Sequence, residues 1–304
     1  MRIFLFVING LGVGSLPDYS KYESEYHNTS FNLEVLDKLE TFKKLGLIKC
    51  CLEDNSGDTL GYYFRGRMLS NQTDFDNGMK EILGNVSFNG KEVEENLISF
   101  CAKKGIGCEF LSSKDNKYTD NVYISDQLLL EDIANINIED NGLLISELND
   151  FAKFGMVGEV EKAENNLIFI DSFFNDFFNA RKLDDIVIIT GNFGINLTKM
   201  GVTREYNPIF VYSKLANGNK NLKTIQGNFN ITMTIVDLFD IFPNNDSFID
   251  DKFKAKLDNF SMLLKNEMIA NGIDKILEIK PVIKEKGEKL LDKSKIAKIR
   301  NKNN

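Results

Sequence analysis

The first eighteen residues constrain the fold of this chain most strongly. An uninterrupted apolar run from Ile3 to Ile8 stops at Asn9 and Gly10, and Gly12 and Gly14 follow closely. A short apolar run that ends in turn residues is typical of a strand buried on both faces of a sheet. Ligands of α/β proteins bind beyond the carboxyl ends of such strands, so we expect the functional site near Asn9.

Two later segments repeat this pattern of an apolar run followed by a polar residue. Residues 167–170 predict a short buried strand ending at Asp171, and residues 185–191 predict another ending beside Asn192. Parallel strands place their carboxyl ends at one edge of a sheet, so Asn9, Asp171 and Asn192 are expected to meet in one composite site. The alternative is that these residues only hold the turns after the strands.

The remaining apolar patterns predict a chain that alternates between helices and strands. Helices are predicted at 28–45, 91–104, 126–133, 142–154, 173–178 and 231–239, and further strands at 62–69, 106–111, 122–124 and 208–212. Helical patterns replace strands after residue 250. We therefore predict an α/β core at 1–250, with a lysine-rich helical extension at 251–304.

Charge and composition limit the possible partners and mechanisms. The net charge of −8 makes the whole chain a poor match for nucleic acid, although residues 280–304 carry nine basic and three acidic side chains. Nucleic acid is therefore expected only through this basic tail, if at all. The single histidine, His27, excludes mechanisms that need two imidazoles.

Hydrophobic segments in this chain are short. None approaches the about 20 apolar residues that a membrane-spanning helix needs. We therefore expect a cytoplasmic protein without a transmembrane segment.

Three stretches, in the same order, resemble the phosphopentomutase family of the alkaline phosphatase superfamily. They are Arg2–Asp18, then Asn28-Thr29 with Leu45-Gly-Leu47, then Ile188-Ile-Thr-Gly-Asn-Phe-Gly194 with Gly201-Val-Thr-Arg-Glu-Tyr-Asn-Pro208 and Phe210-Val-Tyr212. A weaker match places Phe169-Ile-Asp171-Ser172 on the family's Asp-Phe-Asp-Ser. The resemblance implies an alkaline-phosphatase-like core, with a mainly parallel sheet sandwiched by helices. The interval 79–165 corresponds to a reduced cap or insertion region.

The resemblance also implies a chemistry. Family members bind two divalent cations, typically manganese, and move phosphate between two positions of a pentose through a threonine nucleophile. The best match to that nucleophile is Thr73. Gly10 and Gly12 are candidates for cradling phosphate through backbone amides, and Arg204 either binds an anion or forms a structural ion pair with Glu205.

Carrying the family's metal ligands onto this chain leaves an incomplete set. The first aspartate falls on Asn9, the Asp-His pair on Asn192 and Phe193, and a later histidine on Val202. The weaker match keeps one aspartate at Asp171 and places Asp176 where the family has histidine. At most one weakly held cation is expected at Asn9, Asp171, Asp176 and Asn192, because hard cations accept neutral oxygens.

Three hypotheses follow for function. The first is an impaired or inactive phosphopentomutase-like protein that binds a sugar phosphate or a protein partner, with no resident cofactor. The second is an active phosphotransferase, phosphomutase or hydrolase with a reduced metal site. The third is an interaction module that acts through the basic tail.

Overall fold

The computed structural model describes most of the chain. The described residues are 1–22, 24–70, 75–85, 95–136, 138, 141–216, 224–225, 227–242 and 246–270. The chain divides into two compact units, Met1–Lys254 and Ala255–Asn304. The first unit contains the sheets, and the described part of the second is helical.

Ten strands form two sheets in the described part of the chain. They are β1 (Arg2–Ile8), β2 (Tyr62–Gly66), β3 (Gly107–Ser112), β4 (Asn121–Val122), β5 (Gly142–Leu148), β6 (Ile186–Gly191), β7 (Gly194–Asn196), β8 (Gly201–Thr203), β9 (Asn207–Tyr212) and β10 (Thr224–Ile225). The main sheet has the order β10-β2-β9-β6-β1-β5-β3-β4, and β7 pairs with β8 in a small hairpin. Strands β4, β3, β5, β1 and β6 run parallel, whereas β9 is antiparallel to both β6 and β2.

Nine α-helices lie between and after the strands in the described part of the chain. They are α1 (Glu40–Leu45), α2 (Leu47–Leu52), α3 (Phe75–Ile82), α4 (Leu97–Lys103), α5 (Asp126–Asn135), α6 (Asp150–Met156), α7 (Val160–Asn179), α8 (Phe229–Leu238) and α9 (Asp251–Ala270), with short 3-10 turns at Tyr19–Tyr22 and Leu36–Lys38. None of the described helices has the length and apolar character needed to cross a membrane.

Strand β1 lies at the centre of the main sheet and is buried along its whole length. The six apolar side chains from Ile3 to Ile8 have no exposed surface. On one face, the Phe6 ring meets Phe174 and Phe177 of α7 edge-on, at centroid distances of 5.0 and 5.4 Å. Such contacts bury large apolar area in a preferred aromatic geometry, so α7 is fixed firmly across β1.

The predicted fold class is confirmed: the sheet is mainly parallel and flanked by helices. The strands predicted at 3–8, 106–111, 185–191 and 208–212 are present within a residue or two of their predicted limits. The interval 79–165, which was expected to be a reduced cap or insertion, contributes β3, β4 and β5 to the main sheet.

The prediction of a helix at 142–154 is wrong for its first half. Residues Gly142–Leu148 form β5, which lies between β1 and β3, and α6 begins only at Asp150. Every residue of β5 is buried because the strand has neighbours on both edges and is covered on both faces. A strand buried in this way is continuously apolar and cannot be told from a buried helix by periodicity alone.

The prediction of a strand at 167–170 that ends at Asp171 is also wrong. These residues lie within the twenty-residue helix α7. Leu167, Ile170 and Phe174 recur at helical spacing and are fully buried, whereas the intervening Ile168 is only partly buried. The predicted helix at 28–45 is likewise reduced to a 3-10 turn and the six-residue α1.

Asp171 caps a neighbouring helix from its position on α7. Its carboxylate oxygens accept hydrogen bonds from the backbone amides of Thr41 (3.0 Å) and Phe42 (2.7 Å), in the first turn of α1. The residue that precedes α1, Leu39, offers no side-chain cap of its own. Burial raises the pKa of Asp171, although these two amide hydrogen bonds oppose the effect.

We predict that Asp171→Ala lowers the free energy of unfolding by about 1–3 kcal/mol, because two buried amides lose their acceptor. Asp176→Ala is the matched control, since Asp176 is exposed on the same helix and its change should fall within about 0.5 kcal/mol. Urea denaturation of both variants measures the difference. Equal stability of the two variants would contradict the capping role.

Candidate functional site

The ends of the central strands bring Asn9 and Asn192 to the same edge of the sheet. Asn9 follows Ile8, Asn192 follows Gly191, and Ile8 pairs with Gly191 in the parallel β1–β6 ladder. Both asparagine side chains are fully buried. The structure therefore brings together two of the four predicted metal-ligand positions.

The other two predicted positions, Asp171 and Asp176, are not part of this constellation. Both lie on α7, where Asp171 binds the amides of α1 and Asp176 is exposed. The acidic residue beside Asn9 is instead Glu147, near the end of β5. The pattern at 142–154 predicts a helix and so does not single out Glu147. The available signal is a run of five apolar or small residues, 142–146, followed by Glu-Leu-Asn-Asp.

The side-chain amide of Asn9 joins Glu147 of β5 to Asn149, which follows the end of that strand. Its Nδ2 donates to Glu147 Oε1 and to Asn149 Oδ1, each at 3.0 Å. Its Oδ1 is buried and has no hydrogen-bond partner among the described residues. At the end of β1, the Asn9 side chain is therefore a hydrogen-bond donor to the oxygen atoms of Glu147 and Asn149.

The second oxygen of Glu147 is held by neutral donors from the end of β3 and the loop after it. Glu147 Oε2 accepts hydrogen bonds from Ser112 Oγ (2.9 Å) and Asn116 Nδ2 (2.6 Å). Glu147 is only 2% exposed. A buried carboxylate needs such hydrogen bonds, because burial without them is costly.

Two buried aspartates extend this network to two helix N-termini. Asp126 begins α5 and Asp150 begins α6, and each accepts a hydrogen bond from the backbone amide of the other, at 3.1 and 2.8 Å respectively. Asp126 Oδ1 also accepts from the backbone amide of Asn149 (2.8 Å) and from Ser113 Oγ. The carboxylates thus satisfy helix-end donors and complement the positive ends of both helix dipoles.

The glycine-rich turn after Asn9 binds an anion, but the anion belongs to the chain itself. Glu205 is fully buried and accepts hydrogen bonds from Gly14 N (3.0 Å), Thr29 N (2.9 Å), Thr29 Oγ1 (2.7 Å) and Thr203 Oγ1. A Cβ on Gly12 would lie 2.5 Å from Glu205 Oε2 and 2.8 Å from the Gly194 Cα. The space against Gly12 is therefore filled by this carboxylate. Gly10, with φ +90, lies instead against Ala152 and Ile195.

Arg204 does not pair with the adjacent Glu205. Its guanidinium forms two hydrogen bonds with Asp18 (3.1 and 3.0 Å) and donates to the carbonyl oxygens of Met68 (3.1 Å) and Ser70 (2.8 Å). It also stacks 3.9 Å from the centre of the Tyr22 ring. Arg204 is 1% exposed, and its guanidinium binds Asp18 and two backbone carbonyls rather than Glu205, the ion-pair partner that the sequence suggested.

The segment before Thr73 is held from two sides. Arg204 binds the carbonyl oxygens of Met68 and Ser70, and Glu81 accepts from the amides of Leu69 (3.0 Å) and Ser70. Burial raises the pKa of Glu81 despite these amide hydrogen bonds. Thr73 itself lies outside the described residues. Helix α3 begins at Phe75, and its Gly78 fits closely against Asn192, where a Cβ would meet the Asn192 carbonyl oxygen at 2.4 Å.

The side chains at this edge do not match the donor set of a two-cation centre. Phe193, at a family histidine position, is buried in the apolar core, and Val202 packs partly against it. The Asn9 amide donates hydrogen atoms where a cation would require oxygen. Among the described residues, no group of three or more His, Cys, Asp or Glu side chains is arranged to hold a metal ion.

Comparison with known proteins gives one match in sequence and a broader likeness in fold. The chain is 30% identical over 105 residues to a phosphopentomutase from Clostridium novyi (strain NT). That match covers 34% of this chain and 27% of the relative's length. No model of a known protein family matches the chain.

A solved structure shares the fold at low sequence identity, and a second is reported for its similarity. A protein in the alkaline phosphatase superfamily from Vibrio parahaemolyticus superposes with a TM-score of 0.55 at 10% identity, covering 83% of this chain and 71% of that one. A lipoteichoic acid synthase from Listeria monocytogenes has a TM-score of 0.46 at 10% identity, covering 83% of this chain and 75% of that one.

We predict that Gly12→Ala destabilises the fold by about 1–3 kcal/mol, because the added methyl group overlaps the buried Glu205 carboxylate and the Gly194 backbone. Gly107→Ala is the matched control, since a Cβ on Gly107 would have no atom within 4 Å. Urea denaturation midpoints measure both. A Gly12→Ala variant as stable as Gly107→Ala would show that Glu205 does not occupy this space.

The pH dependence of stability gives a second prediction. The pKa of Asp126 is raised from 3.8 to about 6, mainly by burial and to a lesser extent by the nearby Asp150 carboxylate. A raised folded-state pKa means that the contribution of Asp126 to stability is complete below pH 4 and is lost as the pH rises through about 6. The expected loss is on the order of 1–3 kcal/mol.

Between pH 4 and pH 7, the free energy of unfolding of Asp126→Asn should lack the fall with pH that Asp126 causes in wild type. Urea denaturation at each pH measures this free energy. Asp176→Asn, which changes an exposed carboxylate, is the control and should keep the wild-type slope. An unchanged slope in Asp126→Asn would contradict the assignment.

Proposed function

We propose that this chain, which has the fold of the alkaline phosphatase superfamily and resembles phosphopentomutase, is a catalytically impaired or inactive homologue that acts by binding. The observation that carries the proposal is the pair of hydrogen bonds from Asn9 Nδ2 to Glu147 and Asn149, each at 3.0 Å. We infer a pentose phosphate as the ligand class from the resemblance, with a protein partner as the alternative. A cytoplasmic location remains a prediction from the sequence.

The chemistry of the strand ends supports this proposal. Two divalent cations need several anionic oxygens or imidazoles to offset their loss of hydration. A carboxylate at position 9 would face the Glu147 carboxylate at hydrogen-bond distance, and a cation or a proton would be needed between them. The neutral amide of Asn9 removes that need, because its two N–H groups hold the same oxygens together. A threonine hydroxyl is a weak nucleophile unless a cation or a general base activates it, so loss of the cations removes one of these two routes.

A second candidate, an active phosphotransferase, phosphomutase or hydrolase with one cation, is favoured by the orphaned oxygen of Asn9. Rotation of the Asn9 amide by half a turn would point Oδ1 toward Glu147 Oε1 and Asn149 Oδ1. The three oxygens would then suit one hard cation such as Mg²⁺ or Mn²⁺. In this version, Glu147 and Asn149 take the roles that the sequence suggested for Asp171 and Asp176. An interaction role for the basic tail concerns residues 280–304, which lie outside the described residues.

The deciding experiment measures metal content and turnover of the full chain purified without chelator. The proposal predicts no stoichiometric metal, no interconversion of ribose 5-phosphate and ribose 1-phosphate, and a rise in melting temperature with pentose phosphate. Turnover with one bound cation would establish the second candidate instead. Turnover with two tightly bound cations would refute the proposal.

We predict that Asn9→Asp makes the stability of the protein depend on divalent cations. In chelator at pH 7, the variant should lose about 1–3 kcal/mol of stability, because two buried carboxylates then face each other. Mn²⁺ or Mg²⁺ should restore this loss and leave wild type unchanged, as measured by thermal denaturation.

Asn196→Asp is the matched control for the added charge. Asn196 Oδ1 already accepts from the amides of Thr198 and Lys199, both at 3.0 Å, and a carboxylate preserves these bonds. This control should show no cation dependence. The same cation response in wild type and Asn9→Asp would argue against the bridging role of the amide.

A further inference from the structure

Arg65 is a buried cation that the strand-end site does not use. It lies in β2, opposite Pro208 of β9 and Thr224 of β10, and is 4% exposed. Its guanidinium stacks 3.9 Å from the centre of the Tyr206 ring. A charge this deeply buried requires compensation from hydrogen bonds and an anionic partner.

The compensation of Arg65 by the described residues is incomplete. Nη1 forms an ion pair with Glu53 Oε1 at 2.5 Å, but the Glu53 side chain is 70% exposed. Glu53 directly follows α2 and has a left-handed backbone (φ 55), which is unusual for a residue other than glycine. Nε of Arg65 is buried and has no hydrogen-bond partner among the described residues.

A second donor converges with Arg65 above the glycine-rich turn. Gly14 has φ +99, and the point where its Cβ would stand lies 3.5 Å from Asn28 Nδ2 and 3.8 Å from Arg65 Nη2, with no closer atom outside the adjacent residues. The other contact of Asn28 Nδ2 is a long hydrogen bond to the Cys51 carbonyl oxygen, at 3.3 Å. Two nitrogen donors from separate segments thus lie within 4 Å of one point beside Gly14, which carries no side chain.

We propose that Gly14, Asn28 and Arg65 form a binding site for a phosphate group, and that the Glu53 carboxylate occupies Arg65 until phosphate displaces it. The Arg guanidinium suits phosphate because its planar N–H groups match two oxygens at once. Glu53 is free to leave without opening the core, because most of its side chain is already exposed.

One buried carboxylate also lies near the proposed site. Glu205 is fully buried, and hydrogen bonds from Gly14, Thr29 and Thr203 hold its carboxylate. After Glu53 leaves, Arg65 supplies the positive charge that faces the incoming anion, and the hydrogen bonds to Glu205 reduce the repulsion from that carboxylate.

This site does not rest on the proposed function, because Asn9 and Glu147 take no part in it. The phosphate comes either from inorganic phosphate or from a phosphomonoester such as a sugar phosphate. The same donors serve both, so the two sources are separated by experiment.

The test is a titration of the full chain with inorganic phosphate and, separately, with ribose 5-phosphate, by calorimetry at constant ionic strength set with chloride. Glu53→Gln removes the internal competitor and should tighten phosphate binding about tenfold. Asn28→Asp keeps an acceptor for the Phe31 amide but replaces the donor with a negative charge, so it should abolish binding. Tighter binding of ribose 5-phosphate than of inorganic phosphate identifies a phosphomonoester as the source, and equal binding identifies phosphate alone.

Glu40→Gln is the matched control, because it breaks the exposed Lys43–Glu40 ion pair and leaves Arg65 untouched. It should bind phosphate as wild type does. Absence of phosphate binding in both wild type and Glu53→Gln would overturn the site. Equal binding by wild type, Glu53→Gln and Asn28→Asp would also overturn it. In that second case, ribose 5-phosphate should also be titrated into Asn9→Asp. Loss of its binding there would place the ligand at the strand ends, which supports the proposed function and not the Arg65 site.

Discussion

The hydrogen bonds that Asn9 donates across the end of the central strand organise the whole carboxyl edge of the sheet. Through Glu147 they reach Ser112 and Asn116 at the end of β3. Through Asn149 they reach Asp126, and so the first turns of α5 and α6. A neutral amide can hold this arrangement together because it supplies two donors to two acceptors. A carboxylate at the same place would supply none.

Groups near the glycine-rich turn that could bind an external anion bind carboxylates of the chain itself. The glycine-rich turn and Thr29 bind the Glu205 carboxylate, and Arg204 binds Asp18 together with two backbone carbonyls. Neighbours in sequence with opposite charge therefore serve different partners. Arg65 differs from both groups, because its anionic partner is an exposed side chain on a strained backbone.

Sequence patterns were sufficient for the strands whose ends are marked by turn residues. β1, β6 and β9 were recognised because an apolar run stops at Asn9, at Gly191 and beyond Tyr212. The same kind of sequence pattern is insufficient for β5 and for the middle of α7. Both segments are buried, so neither shows the polar positions that separate a period of 2 from a period of 3.6. The error at β5 hid Glu147, and the error at α7 placed Asp171 in the wrong constellation.

The sequence by itself determined the fold class, the burial of β1 on both faces, and the meeting of Asn9 with Asn192, because these follow from apolar runs and the geometry of parallel strands. Only the tertiary structure decided which side chains share the site. Glu147, Asn149 and Asp126 come together from separate segments, and Asp171 is taken up by α1. Hydrogen bonds between residues distant in sequence depend on how the layers pack, and no local pattern records that packing.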